Sequence, residues 1–328
     1  MQTLIFKFPF QEEFYTLNDQ ANHQSTVWFH SFDNLRETIF KGSIEPISEE
    51  EINRLHITSK DIQQQYQSEP ETKEEYLSGL EEVINIIKEH HLPKVVISRQ
   101  KWVGFKDYET ADLGKTFLKL CHDYPNAFIH LFVNDQDAWI GATPEVLGKY
   151  NKSTGLFETM SLAGTLPVAE DWSEKEIEEQ KPVSTYISSI LTQFTDQLES
   201  SPVYDHISGN IKHLRNDFKA IIQEKDIPGI IKELHPTPAV CGVPKKQCFN
   251  IIKSIEKHDR NFYAGYIRIE QAHEINYYVN LRCAQLFRNG ILLYAGGGIT
   301  ALSQPEKEWK ETELKSDAVL QRLSLFNA

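Results

Sequence analysis

Extended and helical periodicities take turns along this chain without settling into strict β-α-β alternation, and that pattern restricts the fold more than any other. Residues 1–60 carry the β-rich runs Leu4-Ile5-Phe6 and Val27-Trp28-Phe29, separated by the breakers Asp33-Asn34 and Lys41-Gly42-Ser43. A polar connector, 61–72, leads into a helix predicted over about 71–91. There Tyr76, Leu80, Val83, Ile84 and Ile87 share one face at 3.6 periodicity. Pro93 closes that helix, and Lys94-Val95-Val96-Ile97-Ser98 reads as a buried strand with a lysine at its mouth. The pattern then predicts a helix over 109–122, strands at 126–133 and 136–141, and a long helix over 173–198. Shorter helices are predicted near 217–224, 227–233 and 245–257, and strands at 261–270, 274–287 and 290–295. A last helix runs from Gln304 to about Leu325. Strand groups with inserted helices favour an α+β (α/β) fold. Residues 1–70 read as a short β-rich part of the same domain as 71–328.

Charge and cysteine usage narrow the function classes. The 34 Lys+Arg stand against 47 Asp+Glu, a net charge of −13. Nucleic-acid and anionic-membrane binding need a positive face, so neither is expected. A small anionic substrate stays open, held by a few local cations or a metal. Cys121, Cys241, Cys248 and Cys283 include no C-x-x-C pair, so no thiolate zinc site is indicated and reduced thiols are expected. The opening MQTLIFKFPFQEEF is interrupted by Lys7 and is not a signal peptide, and no apolar run spans a membrane. A cytoplasmic, monomeric protein is the expectation.

Several residues could carry chemistry. Lys94 heads the apolar run KVVIS. Such a lysine either snorkels at a strand end or has its ammonium destabilised by apolar neighbours and serves as a base. Glu145, in GATPEVLG, is either a solvent-facing turn residue or a carboxylic acid held near apolar walls and able to donate a proton. Glu308, Glu311 and Lys315 share one helix face, and Glu176 and Glu179 repeat the i, i+3 acid pair. These are solvated stripes or, if the two helices face each other, oxygen ligands for Mg2+. Gly296-Gly297-Gly298 is an ordinary turn or a place where backbone N–H groups approach an anion. Arg282, inside VNLRCAQLF, pairs with an acid or awaits a carboxylate. His235-Pro236-Thr237-Pro238-Ala239 belongs to a rigid proline-rich segment suited to a pocket wall.

Taken in order, these segments resemble the chorismate-utilising enzymes over roughly residues 71–325. The motifs are KVVISR at 94–99, GATPEVL at 141–147, SLAGT at 161–165, EKEIEEQ at 174–180 and HPTPAVCGVP at 235–244. DRNFYAG at 259–265, NLRCA at 280–284, YAGGGI at 294–299 and S-x-P-x-x-E-W-x-E-T-x-x-K at 303–315 complete the set. The resemblance implies two stacked, mostly antiparallel β-sheets with helices outside, and an Mg2+-dependent chorismate site in 71–328. Within the family the chain is most similar to isochorismate synthases. Lys94 stands where amine-using members have glutamine, and Ala163 where aminodeoxychorismate synthases have a nucleophilic lysine. Ala239 stands where members that expel pyruvate tend to have threonine.

The resemblance implies Lys94 as the base that activates water for attack at C2, and Glu145 as the acid that protonates the departing C4 hydroxyl. It implies Mg2+ held by Glu179 and Glu311 with Glu176 and Glu308 in support. Arg282 and the N–H groups of Gly297 and Gly298 are implied to hold the enolpyruvyl carboxylate, with Lys315 adding charge. Ala163, Gly164, Thr165, His235, Thr237 and Ala239 are expected to line the pocket. The implied product is isochorismate. The alternatives are a salicylate-synthase-like activity that goes on to lose pyruvate, and a non-catalytic binding protein. The chain departs from the family pattern at Leu166-Pro167, at Gln180 and at Tyr266 in YAGYIR, and its N-terminal region is short.

Overall fold

A computed structural model describes residues 2–19, 25–208 and 211–327. Its described strands pair antiparallel and, apart from the separate pair Glu109–Ala111 and Leu325–Asn327, form two layers joined by one long strand, Glu37–Ile47. The C-terminal half of that strand pairs with Phe14–Asn18 in the first layer, and its N-terminal half pairs with Ser25–His30 in the second. The first layer continues through Thr3–Lys7, Phe128–Val133, Ala138–Thr143, Cys283–Phe287, Gly290–Ile299 and Lys94–Gly104. The second continues through Tyr266–Glu270, Glu274–Val279, Val146–Asn151, Leu156–Pro167 and Ile211–Ile221.

The layers meet face to face over aromatic side chains. Phe29 of the second layer lies 4.5 Å from Phe132 of the first, and Phe128 stacks on Tyr278 at 4.4 Å. Aromatic pairs at such spacing add to the burial of large apolar area. A second core around Phe117, Leu120, Ile129, Ile140 and Leu293 lies where helix Leu113–Asp123 covers the first layer.

Helix Lys73–His90 buries the predicted face, Tyr76, Leu80, Val83, Ile84 and Ile87. Thr72 caps its N-terminus in a box with Glu75, which satisfies otherwise orphaned N–H groups. The long helix is Glu174–Leu191, so it stops seven residues before the predicted end, and Leu198 belongs to a strand. No helix forms at 217–220, because Asp217–Ile221 continue the strand Ile211–Ile221. That strand pairs with Leu156–Pro167 on one side and with short strands on the other, and sheet context outweighs the helix propensity of Lys219 and Ala220. Among the described residues no helix is long and apolar enough to cross a membrane.

Two further departures position the site. The predicted strand 274–287 is two strands, Glu274–Val279 and Cys283–Phe287, with Arg282 between them in a left-handed backbone (φ 46°). The glycine triplet is no turn: Gly296, Gly297 and Gly298 lie inside strand Gly290–Ile299, opposite Ser98, Ile97 and Val96. Side chains there would collide with the site, since a Cβ at Gly298 would sit 2.2 Å from Glu179 Oε1 and 2.5 Å from Lys94 Cε.

Candidate active site

The end of strand Gly290–Ile299 borders a pocket with Lys94 and Val96 on one wall and Pro144 and Glu145 on another. Lys94 opens strand Lys94–Gly104 and is 1% exposed. Its Nζ lies 2.9 Å from Glu179 Oε1, so it is no snorkelling lysine. Glu145 is also buried, in the turn between strands Ala138–Thr143 and Val146–Asn151. Its carbonyl accepts from the Val279 N–H, and Thr237 Oγ1 donates to its Oε1 at 3.3 Å. Burial raises the Glu145 carboxyl to about 7, against the opposing pull of Thr237, Lys94 and Lys315. The carboxyl is therefore a proton donor near neutrality, as its turn-before-apolar setting predicts.

Leu162, Ala163, Gly164 and Thr165 form another wall, and Ala239 and Val240 a fourth. Arg282 points in from its left-handed position, with burial bringing its guanidinium down to about 10. Lys315 reaches the pocket from helix Pro305–Leu320, donating to Gly296 O at 2.8 Å and pairing with Glu311 at 2.7 Å.

Two sequence expectations need correction. His235 does not line the pocket: its Nε2 faces Phe32 O at 3.2 Å, and its ring packs on Tyr266 at 4.8 Å. Thr237 touches Glu145 but does not border the pocket. Gly296 and Gly298 border the pocket, while a Cβ on Gly297 would face Glu308 Oε2 at 3.2 Å and Glu311 Oε1 at 3.8 Å. Pleating sends neighbouring strand residues to opposite faces, which explains that split.

Of the four acids, Glu179 borders the pocket, Glu308 and Glu311 stand by Gly297, and Glu176 stands by Gly164. Glu176, Glu179 and Glu308 are buried and Glu311 is half-buried. Glu176 accepts from Ser173 N–H at 3.2 Å and from the Ser173 hydroxyl, holding the first turn of its helix. Among the described residues no three His, Cys, Asp or Glu side chains stand together as a ready metal site. The donor chemistry nonetheless suits a hard cation, since all four are carboxylates; two of them stand on lysine ammonium groups, Glu179 on Lys94 and Glu311 on Lys315. Gln180, one of the departures from the family pattern, donates to Ser161 at 3.1 Å and Ser184 at 2.7 Å, tying the acid helix to the SLAGT strand.

Sequence reasoning missed His213, Tyr263 and Tyr294 on the pocket wall. Tyr263 and Tyr294 stand in quoted motifs, but nothing in IKHLR marks His213 as more than a strand residue. A larger cavity of about 340 Å3 lies around Phe32, Arg260 and Lys253. Its charges are already matched: Lys253 pairs with Asp33 at 3.4 Å, Lys257 with Glu75 at 2.8 Å and Arg36 with Asp137.

Comparison with known proteins bears on the fold and the family. MenF of Escherichia coli, a menaquinone-specific isochorismate synthase, superposes with a TM-score of 0.80 at 19% identity, over 99% of this chain and 89% of that one. Anthranilate synthase component I of Streptococcus pneumoniae superposes at 0.71 and 15% identity, over 96% and 89% of the two chains. These likenesses show the fold, including its two-layer sheet. By sequence, isochorismate synthase 2, chloroplastic, of Arabidopsis thaliana is 30% identical over 277 residues, 73% of this chain and 45% of that one. MenF of Haemophilus influenzae is 32% identical over 207 residues, 59% and 47% of the two chains. The matches thus span about half the length of these two relatives. The family described as chorismate binding enzyme matches residues 15–324, which takes in every wall of the pocket, and the chain belongs to that family.

Proposed function

We propose that this chain is an isochorismate synthase that converts chorismate to isochorismate with Mg2+ bound. The observation that carries the proposal is a buried lysine and a buried, proton-retaining glutamate on the walls of one pocket that also presents Arg282 and Lys315. Lys94, once it has given up its proton, takes one from water, and the oxygen attacks C2 of the ring. The ring double bonds shift and the C4–O bond breaks. Glu145 gives its proton to the leaving hydroxyl, so one water enters and one leaves. Arg282 and Lys315 supply the positive charge that a dianionic substrate needs.

Glu179 and Glu311 would hold the Mg2+, with Glu176 and Glu308 behind them. The cation would supply charge to neutralise the ring carboxylate. Glu179 pairs with Lys94 and Glu311 with Lys315. Ala163 and Ala239 on the walls favour water addition with the product retained: no lysine is present at 163 to form a covalent adduct, and no hydroxyl at 239 to assist pyruvate loss. The test is incubation with chorismate, with and without Mg2+, resolving the products. Isochorismate without pyruvate is expected. Salicylate with pyruvate would assign the lyase-like activity, and no turnover with Mg2+ present would overturn the proposal.

A further inference from the structure

His213 sits in strand Ile211–Ile221, opposite the irregularity between Ala163 and Leu166 in strand Leu156–Pro167. Gly164 takes a left-handed backbone there (φ 72°). Its carbonyl lies 3.0 Å from His213 Nδ1, with Thr165 Oγ1 at 3.2 Å from the same nitrogen. On the other side of the ring, Nε2 lies 2.8 Å from Arg282 Nη2. A carbonyl oxygen can only accept and a guanidinium can only donate. Nδ1 must therefore carry the hydrogen, and Nε2 must present a bare lone pair.

We propose that His213 is the positioning residue for Arg282: a neutral imidazole, fixed as its Nδ1–H tautomer by Gly164, whose Nε2 accepts from Nη2 and sets the plane of the guanidinium. The inference deepens the proposed function, since it rests on Arg282 receiving a substrate carboxylate. The fork geometry of arginine is what makes its recognition of a carboxylate directional, so a tilt in its plane weakens binding before it touches the proton transfers. Burial acts most strongly against protonating His213, followed by the charges of Arg282 and Lys315, while the Gly164 carbonyl favours it. The irregularity at Gly164 also abuts the acid helix: a Cβ on Gly164 would lie 3.2 Å from Glu176 Cβ.

Two measurements test this. The first needs no substrate: 15N spectra of the histidine rings of the whole protein, with the His213 signals assigned by their loss in His213→Gln. A neutral Nδ1–H tautomer is expected from pH 5.5 to 8. An Nε2–H tautomer, or titration near the ordinary histidine value of ~6.5, overturns the proposal whatever the enzyme acts on. The second is kinetic. His213→Leu removes the acceptor and should raise KM for chorismate roughly tenfold or more, with kcat within a few-fold. His213→Gln keeps an acceptor oxygen and an N–H donor and should recover most of that loss. Equal KM values in wild type and the Leu variant, or no recovery with Gln, overturn it. If the Leu variant does not fold, the Gln variant and the spectra decide. If wild type does not turn chorismate over, the proposed function fails while the spectra still decide the tautomer.

Discussion

The pocket and the acids beside it make two unlike halves. Lys94, Glu145, the glycine strand and the SLAGT wall belong to strands or to the turns between them, and their backbones are fixed by ladder bonds and cross-layer packing. Glu176, Glu179, Glu308, Glu311 and Lys315 instead project from two helices, and ion pairs and a helix cap hold several of them. Strand-borne groups carry the proposed proton transfers, which need near-fixed geometry. Helix-borne acids are suited to a cation, because a salt bridge can be exchanged for a ligand without moving the backbone. The halves meet at the Lys94–Glu179 pair, so changes on either side can be compared directly.

The largest effect is expected on the strand side. Lys94→Gln and Glu145→Ala should each lose at least ~10²-fold in turnover, the worth of one positioned proton transfer. Lys94→Gln also breaks a buried ion pair, a loss of about 3–5 kcal/mol in stability. The double variant Lys94→Gln/Glu179→Gln removes both charges and should recover much of that stability, but none of the turnover. Isochorismate formation by Lys94→Gln within a few-fold of wild type would place the base elsewhere.

Glu145 makes a second prediction through linkage. Its carboxyl is raised from 4.5 to about 7, so between those values the folded state binds more protons than the unfolded state. Stability from this group is full below pH 4.5 and falls as pH rises towards 7. Glu145→Gln removes the titration. Relative to wild type, the variant should gain about 3 kcal/mol between pH 4 and pH 8 in denaturant unfolding. A pH-independent difference would show that the carboxyl ionises normally.

The helix side should respond differently. Glu311→Ala loses a half-buried i, i+4 pair, so stability should change by no more than about 1 kcal/mol. The Mg2+ concentration for half-maximal turnover should rise about 10-fold or more. Chelation should abolish wild-type turnover and added Mg2+ restore it. Unchanged Mg2+ dependence in the variant, or full activity in excess chelator, would remove the cation from this half.

What the sequence revealed divides along similar lines. The helix Lys73–His90 was readable because its five buried residues recur at one period, and Lys94 and Glu145 because each is a charge set against an apolar run. The strand Ile211–Ile221 was misread near 217 because Phe218, Ala220 and Ile222 alternate inward only in the company of partner strands. His213 was invisible for a related reason. Its meaning lies in Gly164 and Arg282, 49 and 69 residues away, which the fold alone brings to its ring. Arg282 looked like a mid-strand residue, since no glycine or proline marks the left-handed turn that aims it inward.

The smallest expected effect lies on the wall between the halves, at Ala239. Its neighbour Thr237 already holds the Glu145 carboxyl, and Ala239 itself borders the pocket from the same rigid segment. Ala239→Thr adds a hydroxyl to the wall without altering Lys94, Glu145 or the acids. Stability should change by no more than about 1 kcal/mol, because Ala239 is only half-buried and borders the pocket. Turnover of chorismate should persist. The added hydroxyl can hydrogen-bond to the bound product in a place where resemblance sets threonine in pyruvate-expelling relatives, so the ratio of pyruvate to isochorismate should rise. The measurement is that ratio at equal chorismate consumption. If it stays at the wild-type value in a folded, active variant, retention of the enolpyruvyl group is governed elsewhere on the pocket wall, with the strand-held Ala163 as the next position to vary.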